Sequence, residues 1–135
     1  QSIHFFKLKE IKKILKFSKN KLNPKGKIII FTLHSKKNYW PLFKNFKTKL
    51  VESLKKDEKI LYVIKSSCKK YKINYFNFKV RIAKDSYIQM IKNKFTSCLL
   101  NFSLSELKTG IDEIKKKYGK KLLFTDKLIC IIYKK

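Results

Sequence analysis

Few side chains in this sequence have the type and placement to do chemistry: His4 and His34, the adjacent Tyr39 and Trp40, and the set Tyr87, Met90 and Phe95. A histidine titrates near neutrality and can take or give a proton when geometry allows. His4 lies between Ile3 and Phe5, a setting that serves equally well for a hydrogen-bonded packing residue. His34 follows the apolar run 27–33, and open α/β sheets hold ligands at the carboxyl ends of their strands. Tyr39 and Trp40 can line an acceptor cavity or stack on a base; beside Pro41 they can also simply pack at a helix start. Tyr87, Met90 and Phe95 suit a core face before a pocket wall, and Asp126 suits a strand turn before a pocket support. No HxH, HExxH, nucleophile elbow or paired-carboxylate spacing occurs, so no metal ligand is assigned and hydrolase chemistry finds no motif. The three glycines are isolated, leaving no GxGxxG and no Walker loop.

The elements that must carry these residues follow from periodicity. Leu8, Ile11, Ile14 and Leu15 fall on one side of a helix, and Asn23 to Gly26 make a turn signal. Residues 27–33, with Ile28, Ile29, Ile30, Phe31 and Leu33, show no polar alternation and predict a central parallel strand buried on both faces. Helix at residues 27–33, or exposure of one face of that strand, would overturn both this fold and any family likeness drawn from it. Pro41 suits the first turn of a second helix with Phe43, Phe46, Leu50 and Leu54 inward, and Asp57 suits the cap of a third with Ile60, Ile64, Cys68 and Tyr71. A strand is expected near 74–83. Asp85 is a cap candidate for a helix to about residue 100, whose face carries Tyr87, Ile91, Phe95 and Leu99. Ser103 and Glu106 fit a capping box for a helix through Tyr118, which Gly119 stops. The chain ends in apolar stretches at 122–124 and 128–133, with a break at Asp126. This order is half of an open α/β sheet.

A net charge of +26 over 135 residues raises the question of a phosphate-bearing partner, because clustered cations displace counterions from nucleic acid. The composition offers a blander cause. Of 35 basic residues only Arg81 is arginine, Ala83 is the one alanine, and Lys, Asn, Ile and Phe abound, as A- and T-rich codons dictate. The lysines recur through nearly every segment, whereas bidentate recognition favours arginine. Weak nonspecific nucleic-acid binding is the expectation. The longest apolar runs span about five or six residues, far below the roughly twenty of a membrane-crossing helix, so no membrane association is expected. Cys68, Cys98 and Cys130 are odd in number and form no CxxC pair, which points to a cytoplasmic or other reducing compartment.

The phrase "LKEIKKIL…LNPKGKIIIF" resembles the helix, turn and fifth strand of class I S-adenosylmethionine-dependent methyltransferases. "QSIHFF" is similar to a phrase after strand four in the small-molecule group that includes trans-aconitate methyltransferase, with Phe5 where that group has Trp. Residues 87–118 and 122–135 are similar to that group's C-terminal helices and antiparallel last strand. Extra residues between Leu15 and Leu22 suggest an enlarged loop.

The resemblance implies a fold class of α/β, the second half of a Rossmann-like methyltransferase sheet with an antiparallel C-terminal strand. Residues 1–135 would be a partial domain from which the Gly-rich cofactor loop and the acidic residue after strand two are absent. It implies S-adenosylmethionine as cofactor, held in the complete protein with help from Gln1 and Ser2, and a small-molecule methyl acceptor. His4 would be catalytic, and Phe5, His34, Tyr39, Trp40, Tyr87, Met90 and Phe95 would bind the acceptor. Transfer would be in line, favoured by positioning and desolvation. Alone, the chain is expected to be inactive and prone to aggregate through an unpaired strand edge. The alternative is a basic RNA- or ribosome-associated scaffold with a degenerate methyltransferase fold.

Overall fold

The structure is a computed structural model and describes residues 3–34, 39–68 and 70–135. Gln1 and Ser2 lie outside the described residues. The elements are α1 (Leu8–Lys21), β1 (Lys27–Leu33), α2 (Lys44–Ser67), β2 (Tyr71–Ala83), α3 (Lys84–Lys92), α4 (Leu104–Lys117) and β3 (Lys121–Lys134), with short 3₁₀ turns at Ile3–Phe5 and Ser97–Leu99. The three strands form one sheet in the order β1-β3-β2, and β3 runs antiparallel to β1 from Lys27 opposite Lys134 to Leu33 opposite Leu128. The fold is α/β, and its last strand runs antiparallel to β1.

The central parallel strand is overturned. β1 keeps the expected bounds but lies at the edge of the sheet and has no parallel neighbour. Its faces are unequal: Ile30 packs on the core and Thr32 is buried, while Ile29 and Phe31 remain 53% and 46% exposed. An apolar run therefore did not mean two covered faces, and this exposure counts against both the expected half-sheet and the family resemblance.

Two compact units divide the chain. The first comprises Gln1–Lys37, Leu54–Asn77 and Lys127–Lys135; the second comprises Asn38–Ser53 and Phe78–Asp126. In the first, one sheet face is covered: Ile11 and Leu15 of α1, Ile60, Leu61, Val63 and Ile64 of α2, and Ile129 and Ile131 of β3 form a single buried cluster. Each such side chain contributes about 1.5–3 kcal/mol relative to exposure. Lys19 fastens this unit, its ammonium donating to the Ser67 carbonyl and lying 4.9 Å from the centre of the Tyr133 ring.

In the second unit Phe43, Phe46 and Phe102 pack with ring centroids 5.5 Å apart in both the Phe43–Phe46 and Phe43–Phe102 pairs. Gly110 of α4 is buried against them, and a methyl group there would come within 2.5 Å of the Phe43 ring. The capping box forms as expected: the Ser103 hydroxyl accepts from the Glu106 amide, and the Glu106 carboxylate accepts from the Ser103 amide.

Further expectations fail locally. The residues between Leu15 and Leu22 form no enlarged loop, since α1 runs unbroken to Lys21, and Pro41 lies ahead of α2 and not in its first turn. Asp57 caps nothing, because Lys44–Ser67 is one helix with neither Gly nor Pro to interrupt it. The helix expected to reach residue 100 stops at Lys92 in a Schellman arrangement: Lys94 is left-handed at φ 50°, its amide donates to the Ile91 carbonyl, and the Phe95 amide donates to the Met90 carbonyl. Asp126 does not break the last strand, which is continuous from Lys121 to Lys134.

Candidate functional site

The residues singled out for chemistry fall into separate groups. In the first unit, His4 sits in the short turn Ile3–Phe5, with its ring centroid 4.2 Å from that of Phe5, which is itself 65% exposed. The His4 carbonyl accepts from the Lys56 ammonium at 2.9 Å, tying this turn to α2, while its Nε2 is buried with no hydrogen-bond partner among the described residues. Half-buried Asp57 feels this histidine: burial raises its carboxyl above the ordinary range, and His4 and then Lys56 draw it part of the way back. Nε2 makes no hydrogen bond to Asp57 or to any other described group, so the two form no proton relay as they stand, and nothing beside them marks a substrate.

His34 follows β1 directly. Its amide donates to the Lys127 carbonyl at 2.9 Å, and its ring lies 5.7 Å from Tyr75. Beside α1 an apolar groove of about 210 Å³ is lined by Ile3, Phe6, Ile14 and Ile28 among others. It holds no polar group able to orient a reacting atom except Ser18.

The second unit brings more of the set together. Trp40 and Phe95 rings are 6.1 Å apart, Phe95 and Tyr87 6.0 Å, and Tyr87 and Phe124 5.9 Å. Tyr87 is sealed at 1% exposure, so its side chain has almost no surface to offer a ligand; burial drives its phenol pKa far upward. Met90 and Phe95 are each a little over one-third exposed.

Tyr39 and Trp40 line a cavity of about 270 Å³ together with Pro41, Tyr118, Gly119 and Lys121. Tyr39 is 75% exposed, whereas the Trp40 Nε1 hydrogen is buried and has no acceptor among the described residues. Sequence reasoning found the two aromatic residues here and missed Tyr118 and Lys121. The run "KKKYGKK" at 115–121 was the available signal, read only as the end of a helix.

No group of three or more potential metal-ligating side chains occurs among the described residues. Nor do those residues fit the cofactor that the resemblance implies. Gly110 is packed under Phe43, Gly26 sits against Leu22 in the turn before β1, and Gly119 stands alone after α4, so no glycine-lined cradle for a methionine or ribose exists among them. No helix of the described residues is long and apolar enough to cross a membrane.

No family model matches this chain, and no curated protein is similar to it at a significant level.

Proposed function

We propose that this chain is the C-terminal part of a class I S-adenosylmethionine-dependent methyltransferase, supplying a wall of the acceptor site and inactive without further sequence. The observation that carries the reading is the placement of β3. The resemblance implies a last strand running antiparallel beside its neighbours, and β3 lies between β1 and β2 and runs antiparallel to β1. The helix, "NPKG" turn and strand order of α1 and β1 supports it as well. The half-exposed Ile29 and Phe31 weigh on the other side, and the reading requires additional strands at the free edge of β1.

In this reading His4 takes a proton from the acceptor, which requires its turn to open because Nε2 is buried as it stands, and the Lys56 contact to its carbonyl holds that turn. No step through the cofactor is derived, since the described residues do not hold it.

The test is calorimetry with S-adenosylmethionine on two forms: the 135-residue chain, and a longer chain extended by the coding sequence upstream of Gln1. Binding by the longer form only is expected, with His4→Ala lowering turnover more than cofactor affinity. A longer form that ignores the cofactor refutes the proposal. Unchanged turnover in the His4 variant removes that residue's role alone.

A further inference from the structure

The cavity beside Trp40 has features that methyl transfer does not explain. A buried indole N–H without an acceptor leaves a hydrogen bond unmade, and such a donor costs stability unless something supplies an acceptor. The Phe95 ring lies 6.1 Å from the indole and 6.0 Å from Tyr87. Tyr39, three-quarters exposed, lines the same cavity. Lys121 lines the cavity, and Lys117 lies 5.3 Å from the centre of the Tyr118 ring, which lines it too. These belong to a run of five lysines within seven residues, 115–121.

A ligand that uses all of this has a planar ring, a hydrogen-bond acceptor on its edge and a negative charge a short distance away. We propose that the cavity takes one nucleotide of a single-stranded nucleic acid, its base stacked on Tyr39, a small turn of the indole bringing the now buried Trp40 Nε1 to an edge acceptor, and its phosphates on Lys121 and the neighbouring lysines.

The volume, just under the roughly 300–1,000 Å³ of small-molecule sites, suits a single base with its sugar. Duplex bases are stacked on each other and cannot enter; splayed single-strand bases can. Lysine meets phosphate as a point charge without the planar fork that reads base edges, so sequence preference is expected to be slight. An acidic peptide would satisfy the lysines and leave the ring slot and the indole donor unused. The inference does not rest on the methyltransferase reading, which gives Tyr39 and Trp40 to a methyl acceptor instead.

Trp40 is the only tryptophan, so intrinsic fluorescence of the full chain reports directly on this site. The titrants are an eight-nucleotide oligouridylate, an eight-base-pair duplex, inorganic phosphate and polyglutamate. Saturable quenching by the single strand, with little from the other three, is the expected result. Affinity for a dye-labelled oligouridylate, followed by anisotropy, should fall about 5- to 100-fold in Tyr39→Ala through loss of base stacking. Tyr39 is too exposed for that change to unfold the protein. Lys121→Gln should reduce the slope of log affinity against log salt by about 1. Equal quenching by polyglutamate, absence of quenching by the single strand, or Tyr39→Ala binding as tightly as the parent would each overturn the assignment.

Discussion

The two compact units solve the problem of a core in different materials. The first is aliphatic, with isoleucine, leucine and valine from α1, α2 and β3 filling one sheet face and leaving Ile29 and Phe31 on the other half in solvent. The second mixes rings with aliphatic residues: Phe43, Phe46, Phe102 and Tyr87 are buried along with Ile88, Ile91, Leu107, Ile111 and Ile114, and its rings meet at tilted or edge-on angles. Branched aliphatic side chains interdigitate to close packing, and a cluster of them leaves little to bind with. Rings are larger and stiffer, pack at particular angles, and carry polar handles that must find partners. The orphaned groups differ accordingly: Trp40 Nε1, the Tyr87 hydroxyl and Asp126 Oδ1 belong to the second unit, and His4 Nε2 to the first. A cavity beside one unmet donor, Trp40 Nε1, is therefore a by-product of building with rings.

The largest expected effect tests that contrast directly. Phe46→Ala should cost about 3–5 kcal/mol and Ile64→Ala about 2–5 kcal/mol, both residues being fully buried, as read by urea unfolding of the full chain. If the two units are separately cooperative, each substitution should shift one phase of the transition and spare the other; a single shared transition moving equally with both would erase the distinction. Next comes Gly110→Ala, whose added methyl presses on a Phe43 ring that is itself buried and cannot retreat; about 1–3 kcal/mol of destabilisation is expected. Recovery of stability in a Gly110→Ala, Phe43→Leu double variant would confirm the collision as the cause.

Ser103→Ala should lose about 1 kcal/mol from the start of α4. The sign of its pH dependence follows from Glu106, whose carboxyl is held below the ordinary range first by the Ser103 amide and then by the Ser103 hydroxyl. A depressed folded-state pKa gives stability that is present above the unfolded value and disappears as pH falls through the folded one. Thermal melts between pH 6 and pH 3 should show a smaller acid loss in the alanine variant than in the parent. The smallest effect belongs to the bare sheet face: Ile29→Thr should alter stability by no more than about 0.5 kcal/mol while improving solubility. A loss like that of Ile64→Ala would mean that this face is packed in solution and the aliphatic unit is two-sided.

Local chemistry was legible in the sequence where one residue decides it. The Ser103–Glu106 box, the turn at Asn23 to Gly26 and the bounds of β1 all follow from side-chain and backbone preferences within a few residues. Legibility fails where the deciding interaction is distant or contrary to propensity. Five apolar residues in a row cannot say whether one sheet face or two will be covered, since β1 acquires its direction from β3, a hundred residues away. Lys94 ends α3 in a left-handed conformation that glycine would have announced; here the same side chain secures the turn by donating to the Leu100 and Phe102 carbonyls. Of the candidate site, Tyr39 and Trp40 were readable as aromatic residues beside a proline, whereas Lys121 and Tyr118 join them only through the fold.

The lysines have a chemical consequence that the net charge conceals. Among the described residues one ion pair is present, Lys115 with Asp112 at 3.8 Å and well exposed, which contributes little. Elsewhere ammonium groups turn to the backbone: Lys84 donates to the carbonyls of Lys115 and Tyr118 as α4 ends, Lys94 closes its own loop, and Lys135 reaches Leu22. Others lie over rings, as Lys49 does over Phe102 at 4.3 Å. An amine engaged in this way must break its contacts and shed a proton before it can attack an acylating reagent, while an amine in open water need only shed the proton. Acetylation would thus proceed in tiers, sparing Lys84 and Lys94 until late, and the order of labelling would chart which positive charges are mortar and which are coat.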